Sequence, residues 1–291
     1  MRKLLALAAV LLAAWPGVPR GQPLLIHLHG LAFSPDGGSL LVSSHVGLTA
    51  WQQDRWSHAL ESGLDITGFS VAARGLYASG HPAPGSGLRN PLGLARSEDG
   101  LRWQPLALAG EADFHLIAAS YRAEAIYVLS HLPNPAMPSP GIHLTRDEGK
   151  TWRRAAARGL RGEVLGLAAH PFQADTVAAA TDRGLYLSRD SGEQFRALFG
   201  SQAVTAAAFA LDGERVLFTP ALSNEVRVMP IERGRRSLAH LPRMRGDYAT
   251  HLALHPFDAR AIAVGTRRKD VYLSADGGQT WRQIAREGDL P

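Results

Sequence analysis

Short apolar stretches separated by polar turns recur along most of the chain, in the pattern typical of β-strands. Aligned with one another, they form six sets. First strands, rich in small residues, are predicted at 29–33, 67–71, 115–119, 165–169, 205–209 and 250–254. Second strands are predicted at 40–45, 76–81, 126–131, 176–182, 216–220 and 261–267. Third strands are predicted at 47–51, 92–97, 142–146, 185–189, 226–230 and 271–275, and outer strands follow them, as at 103–108 and 281–285.

One turn motif, Ser/Thr-x-Asp followed by Gly and an aromatic residue, recurs after the third strands. Asp starts a turn because its carboxylate accepts backbone N–H groups, and Gly supplies a positive φ. The aspartates are separated by 48, 43 and 86 residues, so one repeat lacks the motif; they are Asp99, Asp147, Asp190 and Asp276, and the aromatics are Trp103, Trp152, Phe195 and Trp281. A repeat of this length that contains strands predicts an all-β fold, a six-bladed β-propeller of four-stranded antiparallel blades. The turn motif is degenerate at 52–56 and 231–236.

The motif resembles the Asp-box, or BNR, repeat of sialidases, sortilin-type receptors and photosystem II assembly-factor propellers. In those proteins the box builds a hairpin away from the binding face. The segments 27–31, 79–82, 90–94 and 113–115 resemble exported bacterial propellers that carry a glycosylhydrolase label. The sequence departs from a sialidase because His27 and His29 stand where the first arginine of that family is expected.

The N-terminus has the layout of a secretory signal peptide. Arg2 and Lys3 precede an apolar run over 4–15 and then Pro16. We predict a signal peptide at 1–21, one propeller domain at 22–291 and export to the periplasm or beyond the cell, with an uncleaved membrane anchor as the alternative. The chain has no Cys, which excludes a lipoprotein anchor and thiolate metal ligands.

The mature chain is close to neutral. Without its first 21 residues it has 28 basic and 26 acidic residues, although the full sequence has a formal charge of +5. This balance argues against a nucleic-acid partner. We expect a monomer.

Histidines gather on the predicted face opposite the Asp boxes. They occupy starts of first strands and ends of second strands in blades one to three: His27, His29, His45, His81, His115 and His131, with Asp113. Imidazoles with a carboxylate and no thiolate suit a transition metal, copper or zinc before others. The alternatives are that these histidines plug the axial channel through hydrogen bonds, or take part in catalysis.

The other side of this face is basic. Four arginines in the connections of blade six could bind a small anionic ligand or an acidic extracytoplasmic protein: Arg243, Arg245, Arg267 and Arg268. His170 and His255, each followed by Pro and Phe in equivalent turns, are interpreted as turn and packing residues.

Three functions stay open. The preferred hypothesis is an exported, non-enzymatic protein that binds copper or zinc and presents it to a partner. A glycoside hydrolase would use a pair of carboxyl groups, or a tyrosine, from Asp65, Asp113, Glu163 and Tyr248. The third is an interaction scaffold without a metal, like the assembly-factor propellers.

Overall fold

The computed structural model describes residues 25–57, 63–200, 202–232, 236–244 and 246–290. The strands in this part of the chain form six four-stranded antiparallel sheets, the blades of a β-propeller. Blades one to three are β1 (Gly30–Phe33), β2 (Leu40–Ser44), β3 (Gly47–Gln52) and β4 (Arg55–Ser57); β5 (Leu64–Ala72), β6 (Gly75–Pro82), β7 (Leu94–Ser97) and β8 (Gln104–Ala107); β9 (Ile117–Ala119), β10 (Ile126–Ser130), β11 (Gly141–Thr145) and β12 (Arg153–Arg154). Blades four to six are β13 (Val164–Ala169), β14 (Val177–Thr181), β15 (Gly184–Ser188) and β16 (Arg196–Phe199); β17 (Val204–Phe209), β18 (Arg215–Pro220), β19 (Glu225–Pro230) and β20 (Ser237–His240); β21 (Ala249–Leu254), β22 (Ile262–Thr266), β23 (Val271–Ser274) and β24 (Arg282–Ala285).

The predicted six-bladed architecture is confirmed. Every strand predicted for the first three positions of a blade is present, and its ends differ from the prediction by three residues at most. The largest difference is β5, which begins at Leu64 because its pairing with β6 continues to the pair Leu64 and Pro82. The signal peptide predicted at 1–21 lies outside the described residues. In the ranges given above, no helix has the length and apolar character needed to span a membrane.

The hydrophobic core is divided among the interfaces between blades. One cluster joins blades one and six, with Leu31, Val42 and Trp51 packed near Ala263 and Ile284. The indole Nε1 of Trp56 also donates to the Ile284 carbonyl at 2.6 Å. The ring is therefore closed by packing and side-chain contacts between the two blades, since each sheet is built from consecutive strands.

The inner strands of blades two, four, five and six share an irregularity near their first residues. In each, the pairing register with the second strand shifts by one residue. In blade two the extra residue is Thr67, between Ile66 and Gly68. Such a bulge redirects a side chain, and the Thr67 hydroxyl donates to Asp113 of blade three at 2.7 Å.

The four Ser/Thr-x-Asp turns share one set of hydrogen bonds. In the first, the Asp99 carboxylate accepts the N–H groups of Leu101 and Arg102 at 2.9 Å, and the Ser97 hydroxyl accepts that of Gly100 at 2.8 Å. Backbone and hydroxyl donors hold the pKa of Asp147 and of Asp276 down to about 2. These residues serve the turn itself, and in an antiparallel blade this turn lies on the face opposite the histidines.

His170 and His255, interpreted from the sequence as turn and packing residues, also link neighbouring blades. The Nδ1 of His170 accepts the N–H groups of Phe172 and Gln173, and its Nε2 donates to the Gly213 carbonyl of blade five at 2.9 Å. His255 repeats this arrangement with its own turn and donates to Gly37 of blade one at 3.0 Å. In both rings Nδ1 is an acceptor, so Nε2 is the nitrogen that donates to the neighbouring blade.

Candidate metal centre

Three of the predicted histidines converge at blade one. His27 and His29 lie on the segment entering β1, and His45 follows the end of β2. The Nε2 of His45 lies 2.5 Å from Nδ1 of His27 and 3.3 Å from Nε2 of His29. Ligand nitrogens of these three residues, the triad, all lie within 4.8 Å of one another.

The backbone explains this convergence. The N–H of His29 bonds to the Ser43 carbonyl at 3.0 Å, so the antiparallel ladder of β1 and β2 extends as far as His29. This pairing places the segment that enters β1 beside the turn that follows β2. Because His27 and His29 are two residues apart in an extended segment, both can reach the same imidazole.

Asp65 of blade two sets the orientation of His45. Its Oδ1 lies 2.8 Å from Nδ1 of His45, so His45 donates its Nδ1 proton to the carboxylate. Its Nε2 lone pair is then directed toward the other two histidines. A carboxylate behind a ligating imidazole is the usual arrangement at protein metal centres, where it fixes the tautomer and makes the ligand more basic.

His29 is the more buried member of the pair on the entering segment. Burial, followed by the neighbouring His45, lowers its pKa to about 4. His29 is therefore neutral at pH 7 and has a lone pair to offer. His251 of blade six lies behind it, since the His29 backbone accepts a hydrogen bond from this residue and burial lowers the pKa of His251 to about 4.

A second cluster lies between blades two and three. Asp113 accepts from His115 Nε2 at 2.8 Å and lies 3.3 Å from His81 Nε2, with both contacts on the same carboxylate oxygen. Its other oxygen accepts from Thr67, and His81 Nδ1 contacts Asn90 Oδ1 at 2.8 Å. This is a hydrogen-bonded chain, because the imidazoles approach a shared oxygen from two sides. Among the described residues, only the triad meets the mutual spacing needed for one ion.

The two clusters are electrically coupled. His115 contributes to lowering the pKa of His29, and Asp65 contributes to raising that of His115. The main cause of the raised pKa of His115 is its hydrogen bond to Asp113. Hydrogen bonds from His115 and Thr67 lower the pKa of Asp113 despite its burial.

Other predicted residues are not brought into these clusters. His131 is exposed, and in the described ranges its side chain forms no hydrogen bond to the other five histidines and does not join the triad. Glu163 is exposed and its N–H bonds to Asp182, and the Tyr248 carbonyl accepts the N–H of Arg267. Arg243, Arg267 and Arg268 are exposed on blade six, whereas Arg245 lies outside the described residues.

Three contributing residues were given no role from the sequence. Thr67 of blade two reaches Asp113 through a bulge, Asn90 contacts His81 of its own blade, and His251 of blade six lies behind His29. The predicted aspartates do lie there, but each is already bonded to an imidazole. An axial cavity of about 220 Å³, lined by small apolar residues such as Ala118 and Ala208, lies toward the other face and includes no triad residue.

No protein-family model and no curated protein matches this sequence. Solved structures share its fold. A chain of a nidogen/laminin complex aligns with a TM-score of 0.63 and 12% identity, covering 84% of this chain and 91% of that chain. A GH74 enzyme of Niastella koreensis aligns with a TM-score of 0.58 and 16% identity, and the GH74 xyloglucanase of Xanthomonas campestris with 0.54 and 17%.

Each GH74 alignment covers 88% of this chain and 45% of the enzyme chain, so this chain spans less than half of their length. At these identities the likeness concerns the fold. The shared propeller fold agrees with the fold predicted from the turn motif, and the function has to be argued from the site.

Proposed function

We propose that this protein is an exported propeller of the Asp-box type that binds one copper or zinc ion through His27, His29 and His45. The observation that carries the proposal is the meeting of three imidazole nitrogens at one point, with the His45 tautomer set by Asp65. His27 and His29 both approach the single Nε2 lone pair of His45. A cation at this point would use one lone pair from each residue and replace the protons that otherwise compete there.

The donor set defines the class of ion. Neutral imidazole is a good ligand for zinc and copper, while calcium and magnesium prefer sets of oxygen ligands. Three protein ligands leave a position open for water or another ligand. His27 is exposed, so the ion would be accessible from solvent and could pass to or from a partner.

A glycoside hydrolase is less well supported by the side chains. Asp65 and Asp113 are the two candidate carboxylates near the clusters, and both already hold imidazoles. A metal-free scaffold would use the Asp65–His45 contact only to join blades one and two, and it gives no reason for His27 and His29 to approach the same nitrogen. We therefore prefer metal binding to these two alternative functions.

The test is metal analysis of the full chain, purified without a His tag, after loading with Zn²⁺ or Cu²⁺ and desalting. One ion per chain is expected for the wild type, and His29→Gln and His45→Gln should lose it. His240→Gln is the matched control, because His240 is exposed on an outer strand of blade five. Wild-type protein that retains no ion, or a triad variant that retains a full equivalent, would refute the proposal.

A further inference from the structure

The second cluster contains an Asp–His pair of its own, formed by Asp113 and His115. Asp65 precedes the bulge of β5, and Asp113 lies on the segment entering β9, so the two aspartates occupy equivalent places in neighbouring blades. Each holds one imidazole nitrogen at 2.8 Å. The Asp65–His45 and Asp113–His115 pairs differ at the second nitrogen of the imidazole. Nε2 of His45 belongs to the triad, whereas Nδ1 of His115 has no hydrogen-bond partner among the described residues.

The position of Asp113 is fixed from several directions. Thr67 donates to one oxygen, His81 and His115 contact the other, and the Phe114 N–H next to it bonds to Ser79 at 2.9 Å. An aspartate held in this way keeps an imidazole in one tautomer and stabilises it when it gains a proton. Its partner His115 is 56% exposed and therefore accessible to water and ligands.

A cationic residue, Arg267, lies in blade six, which neighbours blade one on the side away from blade two. Arg267 follows the end of β22 in blade six, the place that His45 holds after β2 in blade one. Blades six and one are neighbours, since the side chain of Leu28 packs against Gly265. Within the described ranges Arg267 forms no ion pair with a carboxylate, and its N–H is anchored on the Tyr248 carbonyl at 3.0 Å.

We propose that this face hydrolyses phosphate esters, with His115 as the general base, Asp113 as its positioning residue and Arg267 as the group that binds the ester's negative charge. This activity goes beyond metal binding and rests on the proposed ion at the triad. Such an ion would make a nearby water more acidic and would accept a phosphate oxygen in its open position. Guanidinium matches the geometry of phosphate oxygens, which favours this substrate class over neutral esters.

The reaction is balanced as follows. A water molecule gives a proton to Nδ1 of His115 while its oxygen forms a bond to phosphorus. The bond between phosphorus and the alcohol oxygen breaks, and its electron pair stays on the leaving oxygen. The leaving oxygen takes a proton from a solvent water molecule on the opposite side of phosphorus, His115 gives its proton back to solvent, and the products are an alcohol and inorganic phosphate.

The test uses the full zinc-loaded chain with p-nitrophenyl phosphate, after the zinc content of each variant has been measured. His115→Gln should retain zinc and Tm but lower kcat by about 100-fold or more, the usual contribution of a general base. Arg267→Gln should mainly raise KM, and His240→Gln should behave as the wild type. A second readout is the visible spectrum of the cobalt-loaded protein, which inorganic phosphate should change in the wild type and in His115→Gln, but only at higher concentration in Arg267→Gln.

The outcomes separate this inference from the proposed function. Zinc-loaded wild type that binds one ion and turns over no phosphate ester would refute the hydrolytic role and leave metal binding intact. Equal kcat in the wild type and in His115→Gln would remove His115 from the mechanism. Failure of the wild type to retain either zinc or copper would refute the proposed function, and the hydrolytic role with it.

Discussion

Replacing Asp65 and Asp113 one at a time by Asn should separate the two clusters, because the substitutions are the same and the positions are equivalent. Asp65 contacts His45 of the triad, whereas Asp113 contacts His81 and His115. Asn at 65 removes the negative charge behind His45. If its amide donates to Nδ1, the His45 proton moves to Nε2 and that nitrogen can no longer bind an ion.

The expected loss at Asp65→Asn is about 10- to 100-fold in metal affinity, or roughly 1.4 to 2.7 kcal/mol, the range for removing a carboxylate behind a ligating histidine. The higher figure is favoured by the 2.8 Å contact and by the partial burial of Asp65, whose side chain is 28% exposed. Asp113→Asn should change affinity by less than about threefold because it touches no triad nitrogen. That value would also show that Asp113, predicted from the sequence as a metal ligand, does not bind the ion.

The assay is competition for Zn²⁺ against a chromophoric chelator at pH 7.5, with Tm recorded for each metal-free variant. Equal losses in both variants, with unchanged Tm, would refute the assignment of one ion to the triad. A larger loss for Asp113→Asn would place the ion in the second cluster.

The remaining predictions concern the fold. His170→Phe should lower the free energy of unfolding by roughly 3 to 5 kcal/mol, because His170 is only 3% exposed and its loss leaves two N–H groups and one carbonyl unpaired. His255→Phe should cost less than half as much, since His255 is only partly buried and water can replace its hydrogen bonds. Equal costs for the two variants in denaturant unfolding would contradict this. Burial lowers the pKa of His170 below its ordinary value of 6.5, so the neutral form is favoured on folding. The stability that His170 contributes is therefore fully present above pH 6.5 and is lost as the pH falls below it. Between pH 7.5 and 5, Tm should fall less in His170→Phe than in the wild type, and parallel curves would contradict the lowered pKa. Gly37→Ala should lower Tm, because Gly37 has a φ of 73° and a Cβ there would lie 2.4 Å from the His255 ring. An unchanged Tm in a thermal melt would show that this turn can relax.

The strands were predictable from the sequence because each blade repeats one local pattern. Small residues on the inner strands and one turn motif after the third strand set the register within a blade, and pairing within a blade is local. The histidine positions followed from the same alignment, and His27, His29, His45, His81 and His115 all enter one of the two clusters. His131 occupies an equivalent place in the chain and stays apart.

The division of those histidines into the triad and the hydrogen-bonded second cluster could not be predicted from the alignment of the blades. It depends on contacts between blades, and these are set by the angle between sheets and by local irregularities. Thr67 reaches Asp113 only because the register of β5 shifts at that residue. No pattern along the sequence distinguishes a bulged threonine from a paired one.

Repetition also explains how one face can contain both the proposed metal centre and the proposed proton acceptor. The same strand position supplied Asp65 in blade two and Asp113 in blade three; Asp65 contacts His45, and Asp113 contacts His81 and His115. The segment entering blade one adds His27 and His29 beside His45, whereas Nδ1 of His115 has no hydrogen-bond partner in the part of the chain that the structure describes. The chemical difference between the clusters therefore comes from the two histidines that enter blade one, and exchanging His27 and His29 for Gln should leave the Asp65–His45 pair in place while zinc binding is lost.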